Sequence, residues 1–410
     1  MTPRIDDPAE RALCAALAAL EPDLIAFCQR LIQTPSVNGV DEERALAEVI
    51  AAEAVRLGLH AVLDGQNPQR PNVIVSTAPQ GETGLLLLGH LDTVPPGDAA
   101  AWTHPPFSGA ISGGRLYGRG AIDTKGGMAA SLYALAALRG QPGALARGRA
   151  QFIGVPDEET GATGTLGIRY LAAKGQVRAR GAIYAYSGSE LILGHRGLLR
   201  YRLTCRGSAI HTGAHEWQEG TAGANAVTGM ARLLLALETR SYPHSAAPYF
   251  ERFRTIITPG TMISGGISIN IVPDHCEALV DIRTTPEHDA ATIEALFDTL
   301  IAALPGYRFS YERLNEIPAV CSDPTAPIFA ILAEVTGAVR GVTPTMTVAG
   351  PANEGYLLIA QGIPTVCGFG PTGENAHAVD EYADVPSLLE AAQIFALTAR
   401  RLSFADAQEG

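Results

Sequence analysis

The chain has 410 residues, of which 47% are hydrophobic and 18% charged, with a net charge of −12 and a pI near 5.3. This is the make-up of a globular protein with room for two or three domains and a large core. No basic run stands out to neutralise phosphates, which disfavours a nucleic-acid partner, and none is expected. The first ten residues carry Pro and several charges rather than a basic head followed by an apolar stretch, and apolar runs such as 84–88 and 233–237 are too short to span a bilayer. Cys14, Cys28, Cys205, Cys276, Cys321 and Cys367 are widely spread with no CxxC, as expected of reduced thiols. The expectation is a cytoplasmic protein with no membrane partner.

Residues 9–32 are apolar at helical spacing and predict a first helix; 34–39 have turn chemistry; acids at 41–43 open a second helix running to 57. Residues 72–76 and 85–88 predict strands, the second a continuous apolar run of the kind buried on both faces. A small-residue helix at 126–138, a strand at 150–155, a helix at 164–173 and a strand at 182–186 continue the alternation. Alternating strands and helices predict an α/β fold, a mixed sheet with helices on both faces.

After Gly197 the pattern changes. Strands at 198–205, 265–272, 277–282 and 307–313, with helices at 222–238 and 290–303, follow the strand-helix-strand-strand-helix-strand order of a ferredoxin-like α+β unit. From about 318 the α/β pattern resumes, with helices at 325–336, 356–361 and 385–401 and a strand at 365–368. The expected domains are 1–197 and 315–410 as two parts of one catalytic domain, with 198–314 inserted.

Five segments carry the candidate chemistry: Gly89-His90-Leu91-Asp92-Thr93-Val94-Pro95, Gly118-Arg119-Gly120-Ala121-Ile122-Asp123-Thr124-Lys125-Gly126-Gly127, Asp157-Glu158-Glu159, His211-Thr212-Gly213 and Asn375-Ala376-His377. Histidines and carboxylates placed just after apolar strand-like runs suit a cation such as Zn²⁺ and point to a metal-dependent hydrolase. Asp157-Glu158-Glu159 alone reads as a solvated acidic turn. Its place after a buried strand and before Gly161-Ala162-Thr163-Gly164 favours a role in the site.

These segments, in this order and over essentially the whole chain, resemble the zinc aminoacylase and carboxypeptidase family. That family includes acetylornithine deacetylase, succinyl-diaminopimelate desuccinylase, glutamate carboxypeptidases and N-acyl or N-carbamoyl amino-acid hydrolases. The resemblance implies a zinc-exopeptidase-like catalytic domain with an inserted ferredoxin-like lid and dimerisation domain. It implies His90, Asp123, Glu159 and His377 as metal ligands, Asp123 bridging two metals and followed by a cis peptide to Thr124. It implies Asp92 orienting the His90 imidazole, Glu158 as general base on the attacking water, and His211 stabilising the oxyanion. Asn270 and Arg283 are the candidates for a substrate carboxylate, and Asn225 for a structural role opening a helix. The implied cofactor is Zn²⁺, one or two per chain, with Mn²⁺ or Co²⁺ as alternatives. The implied partners are a small amide substrate with a free carboxylate and a second copy of the chain.

The pattern breaks in two places. Relatives carry an acid that completes the first metal's ligands at the end of the strand before the Gly194-His195-Arg196-Gly197 segment; Ala185 falls there, with Tyr186 and Ser187 beside it and Glu190 past the turn. Many relatives have Gly-Thr-Asp or Ser-Asp where this chain has Gly350-Pro351-Ala352-Asn353-Glu354-Gly355, so Asn353 and Glu354 are expected to face the substrate pocket. Three accounts of the missing ligand stay open. The enzyme works with one metal on Asp123, Glu159 and His377; or Glu190, Tyr186 or a distant residue fills the gap; or hydrolysis is lost and the protein binds a ligand or forms amides. Retention of Glu158, Asp92 and both histidines favours hydrolysis.

Overall fold

The computed structural model describes residues 5–404 and separates into two compact units. The first comprises the chain up to Gly194, Cys321–Thr347 and the residues from Asn353 onward; the second comprises His195–Val320 and Val348–Ala352.

The first unit is built on a six-stranded sheet. Its order is His60–Asp64, Asn72–Ser76, Arg149–Val155, Thr83–His90, Gly181–Tyr184, Thr365–Val366. The last four strands are mutually parallel, and the first two run antiparallel at one edge. Thr83–His90 lies near the middle and is buried along its whole length, which is why its sequence is a continuous apolar run without alternation. The helices Gly126–Gly140 and Val385–Phe404 pack on one another and on this strand. In open parallel sheets the crevice beyond the carboxyl ends of the strands is where loops converge, and three such ends meet here. His90 closes one strand, Asp157-Glu158-Glu159 follows Arg149–Val155, and Tyr186 follows Gly181–Tyr184.

A small antiparallel sheet supplies the remaining loops. Ala110–Ser112, Arg115–Tyr117, Tyr382–Asp384 and Gly373–Glu374 lie side by side in that order. The segment leading to Asp123 and the loop carrying His377 therefore leave from neighbouring strands.

The second unit is a four-stranded antiparallel sheet ordered Ile256–Gly265, His275–Thr284, Gly197–Arg206, Arg308–Ile317, with helices Ala226–Glu238 and Ala290–Ala302. Strict alternation along His275–Thr284 buries Cys276, Ala278, Val280 and Ile282 against both helices, in a cluster with Tyr201, Leu233 and Phe297. Asn225 caps the first helix by accepting from the amides of Val227 and Thr228, a structural use of that side chain.

Several expected elements differ. The single helix expected at 9–32 is two, Pro8–Ala19 and Glu21–Ile32, because Pro22 lacks the N–H that a continuous helix needs and so opens the second one. The strand expected at 265–272 instead ends at Gly265: Gly266 takes a left-handed φ of 79°, and Ile267 and Ile269 are exposed. No single helix among the described residues is long and apolar enough to cross a membrane.

One close approach fixes the site's floor. A Cβ on Gly127 would lie 1.8 Å from the Ala185 carbonyl oxygen, whereas a Cβ on Gly140, at the far end of the same helix, would meet nothing within 4 Å. Gly127→Ala must push the helix off the strand end and should cost about 3 kcal/mol. Gly140→Ala should cost nothing measurable, and urea unfolding of the two variants checks the contrast.

Candidate metal centre and active site

Asp123 is the centre of the site in the first unit. Its Oδ1 lies 2.7 Å from His90 Nε2, and its Oδ2 lies 3.0 Å from His377 Nε2 and 2.6 Å from the Tyr186 hydroxyl. His377 Nε2 is also 3.3 Å from Glu159 Oε1. Two triads have ligand atoms within 4.8 Å of one another: Asp123, Glu159 and His377, and His90, Glu158 and Glu159. The structure thus gathers His90, Asp123, Glu158, Glu159 and His377 from four separate stretches of chain.

The ring contacts show how strongly the site attracts positive charge. His90 Nδ1 is 2.8 Å from the Asp92 carbonyl oxygen, so it is the donor there. Burial pushes the His90 ring down, but the hydrogen bond to Asp123 at 2.7 Å and the charges of Asp123, Glu158 and Glu159 raise it well above the ordinary imidazole value, so without a metal Nε2 also carries a proton and donates to Asp123. A divalent cation would take the place of such protons. Hydrogen bonds to Asp123 and then Glu159 push the His377 imidazole up to about 10. Burial pushes the Asp123 carboxyl up, but hydrogen bonds from His377, His90 and Tyr186 outweigh it and hold the group well below the ordinary carboxylate range. Three oxygen and nitrogen donors with tetrahedral potential are what a catalytic Zn²⁺ site uses. The donor set fits a divalent metal.

The supporting residues explain why the ligands stand where they do. Glu381, fully buried, accepts from Arg119 Nη1 and from the backbone N–H groups of Gly120, Ile122 and Asp123 at 3.1, 3.0 and 3.1 Å. It pins the loop that delivers Asp123. The Asp123–Thr124 peptide is cis. His377 takes a left-handed φ of 64° in a loop between the paired strands Gly373–Glu374 and Tyr382–Asp384.

Asp92 meets the His90 ring through its backbone and has a second task in its side chain. The donor at His90 Nδ1 is met by the Asp92 backbone carbonyl, while its carboxylate is 3.6 Å away. The carboxylate instead accepts from the Glu158 and Glu159 amides at 3.2 and 2.9 Å and from Asn38 Nδ2. It is a bracket for the two glutamates. Glu158 is held up at about 8, chiefly by burial and secondarily by Glu159, Asp123 and Asp92, with His90 opposing.

Other expectations are corrected. Ala185 does not face the site. Its amide bonds to the Leu88 carbonyl, and its own carbonyl meets Gly127; Tyr186 is the residue that reaches Asp123. Glu190 is exposed and accepts from Thr345, so it fills no ligand position. Asn353 is taken up structurally, donating to the Cys367 carbonyl at 2.6 Å and accepting from the Gly355 amide at 2.9 Å at the start of the helix Gly355–Ala360. Glu354 is fully buried, with no hydrogen-bond partner at either oxygen, and burial together with Asp157 and Glu158 raises it well above the carboxylate range. It is a packed acid rather than an open pocket wall.

In the second unit, His211 is exposed and its Nδ1 accepts from the Gly213 amide at 3.0 Å. Asn270 is exposed and accepts from the Ser268 hydroxyl. Arg283 is not a free fork: its Nε and Nη2 meet the Asp281 carboxylate at 2.9 and 3.5 Å. The two residues are two apart on one strand and share a face, which brings them together.

Sequence reasoning missed Glu381 and named Tyr186 as one of several residues that could fill the gap at Ala185. Glu381 had a faint signal, an acid four residues after a candidate ligand histidine, but nothing local shows that it reaches back to residues 119–123.

A metallohydrolase built on an α/β sheet is the class that this fold and site define. The sequence pattern of peptidase family M20/M25/M40 matches residues 86–401, and the chain belongs to that family. It is a hydrolase acting on small amide bonds. Among relatives, it is 30% identical over 393 residues to a succinyl-diaminopimelate desuccinylase of Methylobacterium sp. (strain 4-46), covering 91% of this chain and 94% of that one. It is 28% identical over 395 residues to the same-named protein of Caulobacter sp. (strain K31), again covering 91% and 94%. In fold it is similar to an M20 family metallo-carboxypeptidase from Sulfolobus solfataricus, with a TM-score of 0.77 at 18% identity over 93% of this chain and 99% of that one. It is also similar to the di-peptidase Dug1p from Saccharomyces cerevisiae, with a TM-score of 0.75 at 17% identity over 96% and 98%.

Glu381→Gln replaces one acceptor oxygen by a donor facing Arg119 and backbone N–H groups. It should loosen Asp123 and weaken Zn²⁺ binding about 10- to 100-fold, read by competition with a chromophoric chelator.

Proposed function

We propose that the chain hydrolyses the amide bond of a small N-acylated or N-carbamoylated amino acid, or of a dipeptide, at a divalent-metal centre. The observation that carries this is the convergence of His90, Asp123, Glu159 and His377 at the strand ends with Glu158 alongside. A bound Zn²⁺, with Mn²⁺ or Co²⁺ as alternatives, supplies polarisation of the scissile carbonyl and a lower pKa for the attacking water.

Glu158 takes the proton from that water at a carboxylate oxygen and delivers it to the leaving amine nitrogen. Burial raises the Glu158 carboxyl above its ordinary value, the direction that makes a carboxylate a better proton acceptor. Asp92 is a positioning residue that fixes the backbone of both glutamates. His211 is assigned to the oxyanion: with Nδ1 accepting from Gly213, the neutral ring carries its hydrogen on Nε2, a donor for developing negative charge. Asn270 is assigned to the substrate carboxylate, with Arg283 left a lesser part because Asp281 holds most of its fork.

A homodimer is part of the same proposal. The edge strand Ile256–Gly265 and the turn after it expose Met262, Ile263, Ile267 and Ile269, the last two 85% and 100% accessible. Apolar side chains beside an unpaired strand edge are what a second copy would cover.

The relatives' name puts N-succinylated diamino acids first in a substrate panel, followed by N-acetyl and N-carbamoyl amino acids and dipeptides. Turnover of one class by the zinc-loaded protein supports the proposal. Glu158→Gln should then lose about 10³-fold in kcat while still binding metal. Metal-loaded protein that turns over nothing across the panel overturns it.

A further inference from the structure

Asp123 divides the centre into two flanks of unequal chemistry. On the His377 flank, Asp123 Oδ2, Glu159 Oε1 and His377 Nε2 converge, two carboxylates and an imidazole within reach of one point. That is three protein ligands with a fourth position open, a complete catalytic site for a divalent cation. The His90 flank has His90 Nε2 on Asp123 Oδ1, Glu158 and Glu159 within reach of His90, and two phenols beside it. The rings of Tyr184 and Tyr186 both lie 6.4 Å from the His90 ring and 6.1 Å from each other. Of these, Tyr186 turns its hydroxyl to Asp123 at 2.6 Å.

A second cation on this flank would find His90 and the shared Asp123. For more, it must take Glu159, already committed to the first set, or Glu158, the proton carrier. The residue that stands where another anionic ligand would enter is a phenol, which is neutral and donates its hydrogen rather than offering a charge. Two divalent ions bring four positive charges to a buried centre whose carboxylates are Asp123, Glu158 and Glu159. One ion is closely balanced by Asp123 and Glu159 alone. Uncompensated charge in a buried site is strongly disfavoured.

We propose that Tyr186 makes this a one-metal centre: a single divalent cation is held by Asp123, Glu159 and His377, and the Tyr186 phenol occupies the flank beside His90, hydrogen-bonded to Asp123, in the place of a second cation's third ligand. This rests on the reading of the centre as a divalent-metal site. His90 then serves the single metal indirectly. Its ring packs against the two phenols and orients Asp123 Oδ1, while Tyr186 and His377 share Oδ2. Tyr186 is a positioning residue for Asp123 and a specificity element for metal number.

The test is metal stoichiometry and affinity, independent of turnover. The protein is stripped, titrated with Zn²⁺ against a chromophoric chelator, and its metal content measured after dialysis. The wild type should hold one tight ion, with any second at least about 100-fold weaker. Tyr186→Glu should gain a second tight ion, and Tyr186→Phe should keep one. Two ions of similar affinity in the wild type overturn the proposal while leaving the metal-site reading intact. No bound ion overturns both. A near-ultraviolet tyrosinate band that appears on adding Zn²⁺ to the wild type and is lost in Tyr186→Phe would show the phenol acting as an anionic ligand, and would also overturn it. If Tyr186→Glu fails to fold, the wild-type stoichiometry and the tyrosinate band still decide.

Discussion

The site depends on one buried carboxylate and the groups that converge on it. Asp123 receives His90 on one oxygen and His377 and Tyr186 on the other, and Glu159 adds a further negative group at the same point. The two imidazoles and the phenol donate to Asp123 and outweigh the cost of burying it, and a divalent cation would offset the same negative charge in place of the imidazole protons. Much of the surrounding architecture can be understood as holding these groups against their mutual repulsion. Glu381 fixes the approach to Asp123 through three backbone N–H groups and Arg119. Asp92 fixes the two glutamates through theirs. In both cases a buried carboxylate is stabilised by backbone dipoles and in return holds a loop to a small range of geometry.

The parallel sheet sets the positions. Three adjacent strands end together, so side chains from residues far apart in sequence arrive at one crevice. The turns just beyond the strand ends then decide which residue of each terminal segment enters it. The strand from Gly181 ends at Tyr184, and the Tyr186 amide bonds back to the Tyr184 carbonyl at 2.8 Å; in this tight turn both tyrosine rings lie 6.4 Å from the His90 ring, and the Ala185 carbonyl meets Gly127. A small residue at 185 and a glycine at 127 are a packing requirement at the floor, separate from the chemistry above it.

Strand periodicity shapes the second unit, where successive side chains point to opposite faces. Cys276, Ala278, Val280 and Ile282 pack inward, and Asp281 and Arg283 share the opposite face and pair. The ion pair narrows what Arg283 has left for a carboxylate.

The sequence by itself determined the α/β class, the element order and the ligand types. These depend on local periodicity, on turn chemistry and on short motifs whose spacing survives inspection one segment at a time. His90, Asp123, Glu158, Glu159 and His377 could all be named before any coordinates, because each sits in a motif with its own signature. Tertiary structure decided what depends on direction and distance. Tyr186 rather than Ala185 faces the metal centre, because the turn just beyond a strand's end is not fixed by composition. Glu381 reaches across more than 250 residues of sequence to residues 119–123, a contact with no local trace. Asp92 uses its carbonyl on His90 and its carboxylate on the glutamate amides, and Glu354 is buried without partners. Side-chain identity limits what a residue can bond to; only the folded backbone chooses among the partners within reach.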